Sequence, residues 1–165
     1  MTDSQDMRLA TPGECQLTIA RSFHAPRSLV FDCWTRPDYL QQWLPGPEDS
    51  TFETCEIDLR FGGHYRVDWS FPDGAQTSVG GVFREVVRPE RLVVTLAIDP
   101  DRNLGEVVAT LDLTQTTGRT MTRIGLIFET PEARDGLLRC EPASSFRCGC
   151  ARLDTLLTRL LPTSL

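Results

Sequence analysis

Lysine is absent from the sequence. All 17 basic residues of the 165-residue chain are arginine, against 23 Asp and Glu, which gives a formal net charge of −6. A nucleotide-binding P-loop requires a lysine, so that class of site is excluded. The arginines are spread along the chain and form no basic stripe of the kind that a phosphate backbone requires, so we expect no nucleic-acid partner.

Long hydrophobic runs are also missing. Even the apolar stretch at residues 92–98 is far too short to cross a bilayer, so no membrane insertion is expected. Residues 1–13 are polar and contain no secretory apolar core, which predicts a cytoplasmic protein. In that reducing compartment the six cysteines are expected to be thiols, and most of them to pack as small hydrophobic side chains.

A metal centre is not expected either. Cys148 and Cys150 lie two positions apart on a predicted helix, where their side chains point about 200° apart, and this geometry is poor for holding one ion. Core packing is therefore the preferred interpretation of Cys150. The sequence predicts no metal and no cofactor.

Residues that commonly carry out catalysis are scarce. The chain contains neither a Gly-x-Ser-x-Gly elbow nor a His-Glu-x-x-His motif. Its two histidines, His24 and His64, are both expected at the surface. Glu56 and Asp58 alternate with Ile57 along a predicted strand and are expected to face water. No catalytic residue is predicted, and an enzyme is left open only as an alternative.

The length predicts a single domain over residues 14–165, preceded by a flexible leader of residues 1–13 that shows no hydrophobic periodicity. Apolar and polar side chains alternate from Cys15 to Phe23, which predicts a strand with one mostly buried face. Pro26 ends this strand and suits the first turn of a helix.

Two short helices are predicted next. The first covers residues 27–34 and brings Cys33 and Trp34 to one side at helical spacing. The second begins at the capping-box pattern of residues 35–38. Its apolar side consists of Leu40, Trp43 and Leu44.

Residues 51–129 show only alternating strands separated by turn residues, and we predict six strands there. In the clearest of them, Tyr65, Val67 and Trp69 share one face. A long helix is predicted from Pro142, because apolar residues recur at gaps of three and four. These residues are Ala143, Phe146, Cys150, Leu153, Leu157 and Leu160. The predicted fold class is α+β, with a curved seven-stranded antiparallel sheet wrapped around the C-terminal helix.

This order of elements resembles the helix-grip fold of the SRPBCC (START/Bet v1-like) superfamily. The segment RSFHAP at residues 21–26 and the segment WTRP at residues 34–37 are similar to the opening signature of that superfamily. Within it, the sequence resembles the bacterial family related to the activator of Hsp90 ATPase, the AHSA1-like family. That resemblance is carried by CEIDLRFGG at residues 55–63, GVFREVV at residues 81–87 and PERL at residues 89–92.

The resemblance implies a cavity between the concave sheet and the long helix, a space in which superfamily members hold sterols, lipids, hormones or polyketides. Binding or carriage of a small hydrophobic molecule is therefore the leading functional hypothesis. Tyr65 and Arg123 could orient a polar end of the ligand, and Glu85 is included because it shares strand parity with Phe83. The expected lining residues are Trp34 and Trp43 near the mouth, with Tyr65, Val67, Trp69, Phe83, Glu85, Leu111, Leu113, Arg123, Phe146, Cys150 and Leu153.

Several alternatives stay open. The same aromatic side chains could fill a closed core. The domain could instead be a protein-interaction module that regulates a Hsp90-type chaperone ATPase, or a cyclase, aromatase or hydrolase acting inside the cavity. A homodimer is also compatible with the sequence. Two departures from relatives fall near the expected pocket, namely Ser145-Phe146 in place of a Gly-Trp pair and residues 43–47 (WLPGP) in place of Trp-Trp-Gly-Pro.

Overall fold

An eight-stranded antiparallel sheet is the frame of the computed structural model, which describes residues 7–44, 46, 49–98, 105–139 and 142–161. Its strands are β1 (Arg8–Ala10), β2 (Gln16–Phe23), β3 (Thr51–Ile57), β4 (His64–Ser70), β5 (Gln76–Val87), β6 (Arg91–Ile98), β7 (Val107–Thr116) and β8 (Arg119–Ile127). Their order across the sheet is β1-β2-β8-β7-β6-β5-β4-β3. Strands β3 to β8 therefore form a meander, as predicted, and β2 joins it by pairing with β8.

The sheet has one strand more than the seven predicted. Residues 8–10, assigned to the flexible leader, pair with residues 18–20 of β2. Three residues are too few to show a period-two pattern, and ladder hydrogen bonds come from the main chain of any residue type. The strand therefore leaves no signal in the sequence. Residues 1–6 of the expected leader lie outside the described residues.

The described residues also form four helices: α1 (Arg27–Thr35), α2 (Pro37–Trp43), α3 (Pro131–Leu138) and α4 (Pro142–Leu160). The predicted capping box before α2 is wrong. Thr35 is buried and its hydroxyl donates to the Phe31 carbonyl oxygen at 2.8 Å, so it closes α1 instead of capping α2. Within the described part of the chain, no helix combines the length and the hydrophobicity needed to cross a membrane.

Helices α1, α2 and α4 pack on the concave face of the sheet and enclose the larger hydrophobic core. The predicted apolar stripe of α4 is confirmed, since Cys150, Leu153 and Leu157 are buried in this core. Leu156 joins them from the same helix. The side chain of Ala143, the first predicted member of the stripe, lies outside the described residues. A smaller core beneath α3 contains Leu17, Val107, Leu126, Phe128, Ala133 and Leu137.

The sheet bends where β4, β5 and β6 meet. At Gly81 a Cβ atom would collide with the Thr95 carbonyl oxygen, so a glycine allows β5 to approach β6 closely there. Further along, the pairing of β5 with β6 shifts by one residue between Phe83 and Glu85, which makes Arg84 a bulge. These irregularities decide which side chains of β5 reach the concave face.

Candidate ligand-binding site

Most of the predicted lining side chains come together on the concave face. Trp43, Val67, Trp69, Phe83, Leu111, Leu113, Cys150 and Leu153 are buried in the larger core, and Trp34, Tyr65 and Phe146 pack against it while partly exposed. They come from α1, α2, the three strands β4, β5 and β7, and α4. The concave face is thus apolar and rich in aromatic rings.

Trp34 lies at the centre of an aromatic group between α1, α2 and α4. Its ring centroid is 4.7 Å from that of Trp43, in an edge-on arrangement, and 6.4 Å from that of Phe146. Trp43 is fully buried, and its indole Nε1 donates to the Cys33 carbonyl oxygen at 2.8 Å. The expected position of Trp43 near a pocket mouth is therefore wrong, whereas Trp34 and Phe146 keep some exposed surface.

Tyr65 is the polar aromatic residue of the concave face. Its hydroxyl donates to the Thr95 carbonyl oxygen at 2.7 Å, and its ring lies 5.4 Å from that of Phe83. Burial raises the pKa of Tyr65 above its ordinary value, so the phenol is neutral at physiological pH. Because its hydrogen is engaged by Thr95, this hydroxyl offers only an acceptor to a ligand.

Glu85 and Arg123 do not belong to the concave face. The bulge at Arg84 reverses the parity of β5, so the Glu85 carboxylate points outward and lies 3.4 Å from the guanidinium of Arg91. Arg123 is exposed, because Thr122 and Ile124 on either side of it in β8 turn inward. The prediction that these two residues line a pocket is wrong.

Two polar residues of the sheet, Arg21 and Thr122, and one of α4, Asp154, also lie where the sheet meets α4, and none of the three was predicted there. Arg21 is buried on the concave side of β2, where its guanidinium contacts Asp154 of α4. Thr122, its neighbour on β8, is buried as well. The signal for Arg21 was present in the sequence, since it occupies the same parity as Leu17 and Phe23 on the apolar side of β2.

Several buried polar atoms on this face are unpaired. The indole nitrogens of Trp34 and Trp69 and the Thr122 hydroxyl have no hydrogen-bond partner among the residues that the structure describes. The large majority of buried polar side-chain atoms in proteins are hydrogen-bonded. An unpaired one loses its hydrogen bonds to water without gaining a replacement, which destabilises the folded state. The Trp34 nitrogen and the Thr122 hydroxyl would gain from a polar group supplied from outside the chain, whereas Gly46 lies against the Trp69 indole nitrogen.

Cys148 and Cys150 do not share a metal site. In the described ranges, no group of three His, Cys, Asp or Glu side chains could hold a metal ion. Cys148 is exposed, while Cys150 is buried in the core and burial raises its thiol pKa to about 11. The two thiols therefore lie in different environments.

The antiparallel sheet is curved and wraps around the C-terminal helix, which packs on its apolar concave face. This arrangement defines a helix-grip protein of the SRPBCC superfamily. The family model described as "Activator of Hsp90 ATPase homolog 1-like protein" matches residues 24–140. The chain belongs to this AHSA1-like family, as the segments at residues 55–63, 81–87 and 89–92 predicted.

Solved structures share this fold over nearly the whole chain. A protein from Rhodobacter sphaeroides is 25% identical, with a TM-score of 0.86 over 94% of this chain and 100% of its own. Protein Ms6760 from Mycobacterium smegmatis is 21% identical, with a TM-score of 0.78 over 97% and 98%. An AHSA1-like protein from Aeromonas hydrophila is 17% identical, with a TM-score of 0.68 over 90% and 99%. No curated protein matches the sequence.

Proposed function

We propose that this protein binds or carries a small, mostly apolar molecule between the concave face of the sheet and α4, without catalysing a reaction. The observation that supports this proposal most directly is the environment of the Trp34 side chain. Its ring keeps exposed surface beside Phe146, yet its indole nitrogen is buried and has no hydrogen-bond partner in the described part of the chain. A ligand that covers the ring and accepts a hydrogen bond would satisfy both parts of this residue.

The energetics favour an apolar ligand. Removing apolar surface from water contributes about 25 cal/mol per Å², so covering the exposed edges of Trp34, Tyr65 and Phe146 is favourable. Tryptophan combines a large apolar ring with one donor, which suits a ligand with an apolar body and at least one acceptor. We propose the cytoplasm as the compartment, which the free thiols of the described cysteines support.

Native mass spectrometry of protein purified from its own host tests the proposal. We expect a retained small molecule, and stabilisation against heat by members of a lipid and aromatic panel. Trp34→Phe keeps an aromatic ring but removes the donor, and should weaken binding about fivefold, the effect of one hydrogen bond.

Phe61→Ala is the matched control. This phenylalanine lies in the turn between β3 and β4 and is 78% exposed, so its removal should leave ligand retention unchanged. Repeated absence of any retained molecule, together with no thermal shift across the panel, would show that the aromatic residues only fill a core and would overturn the proposal.

A further inference from the structure

A buried arginine faces α4 from the concave side of the sheet. Arg21 is only 5% exposed, and its Nη2 lies 2.5 Å from Oδ2 of Asp154, the side chain of which is 32% exposed. Its Nη1 makes a long hydrogen bond of 3.4 Å to the Cys150 carbonyl oxygen, and its guanidinium lies 4.7 Å from the centre of the Phe23 ring. The positive charge is thus held against the core, while its carboxylate partner lies closer to water.

Thr122 is placed beside this arginine. In the sheet it lies opposite Arg21 of β2 on one side and opposite Leu113 of β7 on the other. Its buried hydroxyl has no partner among the residues described. Thr120, two residues earlier on the same face, is equally buried, but its hydroxyl donates to the Ala25 carbonyl oxygen at 2.7 Å. The Thr120 hydroxyl is therefore hydrogen-bonded, whereas the Thr122 hydroxyl is unpaired beside the Arg21 guanidinium.

An arginine and a threonine hydroxyl side by side form a donor set for a carboxylate. The guanidinium presents a planar fork of N–H donors that matches two carboxylate oxygens, and the hydroxyl can rotate to donate a further hydrogen bond. Leu113 and Cys150, which contact this pair in the sheet and from α4, belong to the apolar concave face. An acid bound here would have its apolar body against that face.

We propose that Arg21 and Thr122 receive the carboxylate of an apolar monocarboxylic acid, which takes the place of Asp154 at the guanidinium. The exchange keeps the buried charge neutralised, and the part-exposed Asp154 carboxylate is released into water. This inference rests on the proposed function, which it narrows from any apolar molecule to an apolar acid.

Calorimetric titration with two matched pairs tests the inference: decanoic acid against 1-decanol, and 1-naphthaleneacetic acid against 2-(1-naphthyl)ethanol. In each pair the apolar body is the same and only the carboxylate differs. We expect the acid of at least one pair to bind about tenfold or more tightly than its alcohol, since hydrogen bonds to charged groups are the stronger ones.

Two variants assign the effect to this site. Thr122→Val replaces the unpaired hydroxyl with a methyl group; it should weaken acid binding about fivefold, the effect of one hydrogen bond, and leave alcohol binding unchanged. Its free energy of unfolding should stay the same or rise, because a buried unpaired group is removed. Asp154→Asn removes the competing carboxylate and should tighten acid binding selectively. Thr120→Val serves as the control, with an unchanged ratio of acid to alcohol affinity.

The outcomes separate the two proposals. Equal affinity for acid and alcohol would overturn the carboxylate site and leave the binding of apolar molecules intact. A preference for the acid that neither Thr122→Val nor Asp154→Asn alters would also overturn the assignment. Failure of both pairs, and of the whole lipid and aromatic panel, would overturn the proposed function and this inference with it.

Discussion

Tyr65 donates its hydroxyl hydrogen to the carbonyl oxygen of Thr95, two strands away, at a distance of 2.7 Å. The strand between them presents Gly81 opposite Tyr65. The hydroxyl of Thr95 also accepts a hydrogen bond from the backbone nitrogen of Val82 at 2.9 Å. The Tyr65 hydroxyl and the absence of a side chain at Gly81 together hold β4, β5 and β6 close where the sheet bends around its concave face.

Gly81→Ala should destabilise the protein strongly, because the added Cβ would collide with the Thr95 carbonyl oxygen. Forcing an atom into a packed site costs about 1–3 kcal/mol or more, and the neighbour here is backbone that cannot rotate away. Gly125→Ala is the matched control on β8, where the described structure places nothing within 4 Å of the new atom. Urea denaturation should show a loss for the first variant and no loss for the second. Equal effects would contradict this account of the bend.

Tyr65→Phe should lower the free energy of unfolding by about 1–2 kcal/mol, because the ring is kept while the partly buried Thr95 carbonyl oxygen loses its donor. The control is Tyr39→Phe on α2, where the ring lies against the exposed guanidinium of Arg36 and a change of less than about 0.5 kcal/mol is expected. Denaturant titration of both variants measures the difference. If Tyr65→Phe were as stable as the wild type, the hydrogen bond would not be holding the bend.

The concave face could be predicted from the sequence as far as the strands keep a regular pleat. Tyr65, Val67 and Trp69 alternate without interruption, and the structure places all three inside. Counting in twos from Phe83 predicts that Glu85 faces the same side, and this prediction fails because the bulge at Arg84 inserts one residue. A bulge arises from how two strands pair, so the sequence of one strand does not reveal it.

Trp43→Phe should cost about 2–4 kcal/mol of stability, since the smaller ring leaves a void in a fully buried site and the Cys33 carbonyl oxygen loses its hydrogen bond. Phe61→Ala removes an aromatic ring as well, but from an exposed turn, and should change stability by less than about 0.5 kcal/mol. Thermal and chemical denaturation of the pair measures both. A small effect at Trp43 would mean that α2 packs more loosely than the structure shows.

Thiol labelling should distinguish the cysteines by burial. Burial raises the pKa of Cys33 to about 12 and the pKa of Cys150 to about 11. A raised thiol pKa lowers the reactive thiolate fraction, which for Cys33 at pH 8 is about one in ten thousand. We expect iodoacetamide to modify the exposed Cys148 before Cys33 and Cys150, which should be labelled only after unfolding in denaturant. Peptide mass spectrometry reads the order, and early labelling of Cys33 in the folded protein would contradict its burial.

Arg21 is the opposite case. The sequence predicts that it is buried, but not which residue neutralises its charge. Its parity on β2 places it inside, yet a buried arginine needs an anionic partner, and Asp154 lies on an element at the other end of the sequence. The pairing of β2 with β8, which sets Thr122 beside it, also spans the chain. Local patterns therefore predict the elements well, whereas polar contacts between distant elements emerge only once the chain is folded.

The position of α4 after the last strand of the sheet also has a consequence during synthesis. The concave face is built mainly from residues 64–127, but α4, which covers it, begins at residue 142. On the ribosome, the part of the aromatic face that α4 covers must therefore stay exposed until residues 142–161 have emerged. At roughly 5–20 residues per second this interval lasts seconds, and an incomplete domain with exposed apolar surface is prone to aggregate. During that interval the protein would itself be a client for chaperones that shield nascent chains.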